Sequence, residues 1–240
     1  MVGLTIIGSI VASTLSAFLA FILGQWVWKR YNSPNIEIGI PEYSSKKPKQ
    51  PQEIAVLNIE IFVLQVNNKG RTAAKNSLLY FNIEKVNRPC KWNSVPEPSL
   101  GGLQFIYDIY QRLTILPKLP DRAAFVFRFS DDEPYILRQY DLSVLYDLSV
   151  LYGSKDIDKI KRNIDKIKEE SNEINCKNNI ISGDLVFYSE NYKGKCKISF
   201  SYSKDEQKVS ISLTNKKTID YKGYRRIQIN EESSNLEIKK

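Results

Sequence analysis

The stretch from Val2 to Gly24 contains no charged side chain. At about 1.5 Å rise per residue, a helix of that length reaches roughly 34 Å, enough to cross the hydrocarbon core of a bilayer. No other feature constrains the fold as strongly. Trp26, Trp28 and Tyr31 follow where interfacial aromatics belong, together with Lys29 and Arg30. A cleaved signal peptide is the rival reading; it calls for a basic start, a shorter apolar run and a small-x-small cleavage site. Nothing basic precedes this run and no such cleavage site stands out. The expectation is a retained transmembrane anchor over residues 1–28 in a single-pass protein of the cell membrane.

Positive charge lies only on the C-terminal side of the segment, at Lys29, Arg30, Lys46, Lys47 and Lys49. The positive-inside rule then puts the large domain on the cytoplasmic side. No asparagine begins an N-x-[ST] sequon, which agrees with that placement. The five basic residues belong to a tether over 29–53, rich in Pro, Ser and Lys, with one short strand at Ile36 to Ile40. Beside an anionic leaflet each charge is worth about 1 kcal/mol at most, so they are candidate headgroup contacts. A solvated linker is the plain alternative.

Within the apolar run, Gly8, Ala12, Ser16, Ala20 and Gly24 recur every fourth position. That spacing keeps them near one stripe, where two helix backbones can approach closely, and points to a homodimer through the membrane helix. The segment is rich in small residues throughout, so composition alone is the competing account.

Beyond the tether the pattern changes to period two. In "IAVLNIEIFVLQVNN" the set Leu57, Ile59, Ile61, Val63 and Gln65 alternates with Asn58, Glu60, Phe62, Leu64 and Val66. The first face is almost purely apolar and the second mixed, as in a strand of a sandwich. "NNKG" supplies a turn, and "SLLYFNIEKV" reads as the next strand. "AAFVFRF", "YILRQYDLSVLY", "DLVFYSE", "CKISFSY", "KVSISLT" and "RRIQIN" are further strand candidates. Short alternating runs with turn residues between them predict a mainly β fold, an antiparallel β-sandwich spanning 54–230. Hydrophobic content of 42% is enough for its core. Residues 231–240 read as a polar tail.

Two repeats interrupt the strands. "DLSVLYDLSVLY", Asp141 to Tyr152, is a tandem hexapeptide that suits a strand or a helix, or records a duplication. "IDKIKRNIDKIKEE" is a tandem heptad with Ile157, Ile160, Ile164 and Ile167 at a and d positions, and Ile174 extends the same seam. Two heptads are too few for an autonomous coiled coil. A helical insertion over about 154–175 is expected to lie on its own sandwich; docking a partner helix is the other role.

The pattern V-x-N-x-G-x-x-x-A-x-N, here Val66, Asn68, Gly70, Ala74 and Asn76, resembles CARDB-like and related immunoglobulin-like sandwich modules. It is also similar to a group of membrane-anchored prokaryotic proteins. The resemblance implies a Trp after the second strand, here Trp92, and a late "SEN" strand, here Ser189, Glu190 and Asn191. It covers about residues 54–130 and 183–203. It implies an immunoglobulin-like sandwich with adhesion or docking roles and carries no catalytic residues.

Chemistry is sparse. There is no histidine, which excludes Ser-His-Asp and Cys-His catalysis within the chain. Cys90, Cys176 and Cys196 match no zinc or redox spacing. An odd count fits reduced, buried thiols, and a Cys176 to Cys196 bridge stays open for an oxidising compartment. "SDDEP", with Asp131, Asp132 and Glu133, reads as a turn; a divalent ion is its sharper alternative. In "YKGYRR" the residues Tyr221, Lys222, Tyr224, Arg225 and Arg226 interleave aromatic and basic groups, a surface suited to single-stranded nucleic acid or anionic headgroups. The net charge of +8 favours anionic partners of either kind. The expected function is a membrane-anchored, non-enzymatic interaction module with a protein partner and no cofactor or metal. A membrane-tethered binder of nucleic acid or anionic headgroups is the alternative.

Overall fold

The computed structural model describes residues 2–41, 59–84, 86–92, 112–129, 131–139, 157–215 and 223–239. The apolar run forms one helix, α1 (Val2–Tyr31), whose segment Val11–Trp28 is long and apolar enough to cross a membrane. None of that segment is buried against the rest of the chain.

The remainder is mainly β and forms two sheets. The first contains β1 (Ile36–Gly39), β2 (Ile59–Asn68), β5 (Lys91–Trp92), β7 (Asp121–Phe129), β8 (Ile136–Gln139), β9 (Glu173–Asn175) and β14 (Gln228–Ile229). The second contains β3 (Ala74–Ile83), β4 (Val86–Pro89), β6 (Leu113–Ile115), β10 (Ile181–Tyr188), β11 (Lys193–Ser203), β12 (Lys208–Thr214), β13 (Arg225–Arg226) and β15 (Asn235–Lys239). The strand orders are β14-β1-β2-β7-β8-β9, with β5 on β7, and β15-β12-β11-β10-β3-β4, with β6 on β3 and β13 on β11. Pairing is antiparallel except at β1–β14 and β11–β13.

One core joins the sheets, so the arrangement is a sandwich. Ile36, Ile38, Phe62, Leu64 and Val66 face it from the first sheet; Phe81, Leu185, Phe187, Ile198 and Phe200 face it from the second. Phe81 meets Phe125 edge to face at 5.9 Å between ring centroids, across the two layers. Trp92 is fully buried, packs edge-on against Phe187 and donates its indole N–H to the Ser77 carbonyl at 3.2 Å. That bond satisfies the one polar atom of a large apolar ring.

The face of β2 differs from its sequence pattern. Phe62, Leu64 and Val66 point into the core, whereas Ile61, on the more apolar face, is exposed. The alternation of β2 itself is unbroken; the bulge lies in β7, where Phe62 pairs with Val126 and Val63 with Ala124 and Phe125 has no partner across β2. Strand β7 is buried on both faces, since Phe127 and Phe129 lie outside the central core yet are covered. The ammonium of Lys168, on the helical insertion α2 (Ile157–Glu170), sits over the Phe129 ring at 5.1 Å. Ile167 is buried, and Ile164 half-buried, so this part of α2 rests on its own sandwich. The helix ends at Glu170. Ile174 belongs to β9, paired with Leu137 of β8, and is not part of the heptad seam.

Four further expectations change. Residues 235–239 of the expected tail form β15, which pairs along β12 and buries Ile238. "RRIQIN" splits into β13 and β14, which belong to different sheets. Ser189, Glu190 and Asn191 form the turn between β10 and β11, not a strand. The tether contains a core strand, because Ile36 and Ile38 are fully buried in β1. The hexapeptide repeat, Ile54 to Asn58, and Lys46, Lys47 and Lys49 lie outside the described residues.

Candidate functional site

The strand directions bring four segments to one end of the sandwich: the linker after α1, the β2–β3 turn, the β6–β7 loop and the start of β13. The β2–β3 turn is the "NNKGRT" of the V-x-N-x-G pattern, and it holds the exit of α1. Asn68 is fully buried. Its side-chain oxygen accepts from the Asn35 N–H at 3.2 Å and the Gly70 N–H at 3.0 Å. Its amide nitrogen donates to the Thr72 carbonyl at 2.8 Å and the Ile115 carbonyl at 3.2 Å. One side chain thus joins linker, turn and β6 with its acceptor and both donors occupied.

The contacts continue around Asn68. Lys69 N–H donates to the Asn35 carbonyl at 2.7 Å, and the Thr72 hydroxyl to the Asn32 carbonyl at 2.5 Å. A Cβ at Gly70 would lie 2.6 Å from both the Asn35 nitrogen and the Ser33 oxygen, so only glycine lets the turn approach the linker this closely. The Arg71 guanidinium stands 3.9 Å above the Tyr31 ring, a cation–π contact with the last residue of α1. From the other sheet, Arg225 donates to the Ser33 hydroxyl at 2.6 Å and stacks over Tyr192 at 5.6 Å. The helix is therefore fastened to the sandwich within four residues of its end.

Asn76 and the Ser189–Asn191 turn support this end. Asn76 adopts a left-handed backbone, φ 51°, and its amide donates to the Glu190 carboxylate. Asn191 donates to the Ala73 carbonyl at 3.1 Å, and Glu190 N–H to the Lys75 carbonyl at 3.1 Å. Two sequence features far apart in the chain thus meet in one brace.

Of the basic-aromatic set, Arg225 and Arg226 form β13 alongside Gly194 and Lys195, and both are exposed. Tyr224 shares a 2.5 Å hydroxyl contact with Tyr188. Burial, with Tyr224 adding to it, raises the Tyr188 phenol to about 12. Tyr221 and Lys222 lie outside the described residues. Lys29 and Arg30 belong to the last turns of α1. Gly8, Ala12, Ser16, Ala20 and Gly24 all fall on α1; the Ser16 hydroxyl donates to the Ala12 carbonyl at 2.7 Å, and no atom lies near a Cβ built at Gly24.

Charge separates along the sandwich. In the loops at the α1 end (residues 69–73, 116–120, 189–192 and 223–226), Lys69, Arg71, Lys118, Arg225 and Arg226 stand against Glu190. In the described turns at the far end (84, 131–135, 176–180 and 204–207), Glu84, Asp131, Asp132, Glu133, Asp205 and Glu206 stand against Lys177 and Lys204.

The acidic turn serves as a latch for α2. Asp132 accepts from the Phe129 N–H at 3.1 Å and takes a two-pronged Arg138 contact at 3.0 Å through both oxygens. Arg138 also donates to the Lys168 carbonyl at 2.9 Å and the Ser171 hydroxyl at 3.1 Å, closing the C-terminus of α2. Lys168 reaches Asp131 at 2.7 Å. Nothing in the sequence pattern marked Arg138, which sits in an ordinary strand candidate.

Among the described residues, no group of three or more His, Cys, Asp or Glu side chains is placed to hold a metal ion. Cys90, Cys176 and Cys196 are free and buried. Burial raises the Cys176 thiol to about 12, and burial with Asp184 nearby raises Cys196 to about 12; burial raises Cys90 as well. Iodoacetamide should therefore modify none of the three until the chain unfolds. The same shifts tie stability to alkaline pH. A thiol with an ordinary value of 9.0 ionises in the unfolded chain before it ionises in the fold. Stability present below pH 9.0 is then lost as pH rises toward 12. Urea midpoints should fall between about pH 8 and about pH 10.5, and Cys196→Ala should make that fall shallower. An equal fall in the variant would show that other groups control it.

Comparison with family models, with curated proteins and with solved structures finds no match.

Proposed function

We propose that this chain is a membrane-anchored, non-enzymatic interaction module, a scaffold or adaptor, whose sandwich is a rigid continuation of its anchor. The observation that carries the reading is the fastening of the α1 exit by Asn68, Gly70, Thr72, Arg71 and Arg225. A flexible tether would leave the domain free to tumble. This junction supports a fixed orientation, with one end toward the bilayer and the other away from it if α1 spans. The basic end lies toward the membrane, and the acidic turns with α2 are offered to a protein partner. The basic flank of α1 supports a sandwich on the cytoplasmic side, by the positive-inside rule. The immunoglobulin-like reading belongs to this proposal: the residues that carried the resemblance, Asn68, Gly70 and Asn76, are the ones that build the junction and its brace.

The second reading, an anionic ligand at the basic-aromatic surface, is favoured in its headgroup form. Arg225 is bonded to Ser33, two residues beyond the end of α1, where headgroups lie if α1 spans.

The test uses the full chain in cells. Because the native thiols are buried, Asp205→Cys supplies one reactive site at the acidic end. The variant should stay in membranes through carbonate extraction and react with an impermeant maleimide only after permeabilisation. Release by carbonate would remove the anchor, and labelling of intact cells would reverse the sidedness. A photo-crosslinking residue at Lys166 and at Asp205 should give the same discrete protein adduct. A chain that yields no adduct from either position is not an adaptor through this end.

A further inference from the structure

The β6–β7 loop, "LPKLP", exposes Leu116 at 48% and Leu119 at 56%. A lone exposed leucine is ordinary. These two flank Lys118, whose left-handed backbone, φ 64°, turns the loop over at the end of the sandwich that holds α1. The loop is fixed there by the residue that fixes the helix. Lys118 N–H donates to the Asn68 backbone carbonyl at 3.0 Å, while the Asn68 side chain accepts from Asn35 N–H. Pro117 bridges to Asn68 as well. Outside α1, the other large exposed hydrophobic residues among those described are Ile61 and Ile180, both toward the far end.

We infer that the Leu116–Leu119 loop is a second membrane contact: the two leucines enter the lipid interface beside α1 while Lys118, Arg71 and Arg225 meet anionic headgroups. This rests on the reading of α1 as a membrane anchor. If α1 spans, Trp26, Trp28 and Tyr31 mark the depth of the interface. Arg71 touches Tyr31 and Arg225 touches Ser33, so both guanidinium groups lie at headgroup depth. A loop pinned to Asn68, three residues before Arg71, cannot stand far above them. Its composition suits that position, because leucines gain from leaving water while a lysine stem lies along apolar surface with its ammonium at the headgroups. The excess of basic over acidic residues around it adds attraction to an anionic leaflet. The contact would limit rocking of the sandwich about its single linker and hold the acidic end pointing away from the bilayer.

The experiment uses the full chain in lipid nanodiscs, with an environment-sensitive fluorophore on a single introduced cysteine; the buried native thiols stay unlabelled. Leu119→Cys and Leu116→Cys should emit blue-shifted. They should lose most of their emission to quenchers placed shallow in the acyl chain, more so in discs containing phosphatidylserine than in pure phosphatidylcholine. Asp205→Cys, at the far end, should emit as in water and resist the same quenchers. Phe18→Cys, within α1, reports the anchor through quenchers deep in the acyl chain. If Phe18→Cys is quenched while both loop positions emit as in water, the loop contact is overturned and the anchor stands. If Phe18→Cys is not quenched, the anchor itself fails and the loop contact falls with it.

Discussion

Replacing Asn68 with Leu should lower the stability of the full chain by about 2.5–6 kcal/mol and unfasten α1 from the sandwich. The amide makes four bonds, two accepted and two donated, and Leu of similar volume makes none. The Ile115 carbonyl is the fully buried partner, and its loss carries the whole penalty of an unsatisfied group, about 1–3 kcal/mol. The other three partners are partly reached by water, so each adds about 0.5–1 kcal/mol. Asn68→Asp should be at least as damaging. It keeps an acceptor for Asn35 and Gly70 but turns a carboxylate oxygen toward two carbonyls, and it buries a charge. Urea unfolding in micelles gives the stability change. Spin labels at Phe18 and Asp205 give the coupling, because their distance distribution should broaden when the junction opens. A stability loss below about 0.5 kcal/mol with an unchanged distribution would show that the amide is not the fastener.

Sequence pattern reached the architecture because both periods were strong. An uncharged run that long has one common outcome in a helix, and alternating strands between turn residues have few. "KVSISLT" matches β12 residue for residue, since its alternation is complete and its neighbours break it. The face of β2 was misjudged. Ile61 and Phe62 are both apolar, and alternation alone does not say which of the two faces the second sheet covers. The heptad seam carried Ile174 by coincidence of spacing. Its backbone leaves the helix once Arg138 takes the Lys168 carbonyl, a long-range bond that periodicity does not register.

The junction was legible as a motif and illegible as a mechanism. Asn68 and Gly70 stood out as turn residues, yet their partners, Asn35, Thr72 and Ile115, are set by how the linker and β6 arrive. Strand β15 was missed for a related reason. "NLEIK" is short and polar, and it becomes a strand because β12 offers it an edge.

The second large effect is expected at the latch of α2. Asp132→Ala should cost about 3–5 kcal/mol, because it strips the buried Arg138 guanidinium of its two-pronged partner and leaves only the more exposed Glu173 carboxylate at 3.9 Å. The side chains are 4% and 7% exposed, so water cannot replace the carboxylate. Arg138→Ala should cost a similar amount and also strip the donor from the Lys168 carbonyl and Ser171 hydroxyl. Replacing both separates the two roles. Asp132→Asn keeps an acceptor for the Phe129 N–H, and Arg138→Met fills the space without a charge. A buried ion pair exchanged for apolar volume is often neutral or stabilising, so the double variant should recover most of the loss in urea midpoint. It should not restore the hold on α2, whose last carbonyls then lack their cap. Amide exchange should therefore stay fast across Ile164 to Glu170 in the double variant while the β-core regains protection. Recovery of both would show that Ile167 and the Phe129 surface alone keep the helix in place.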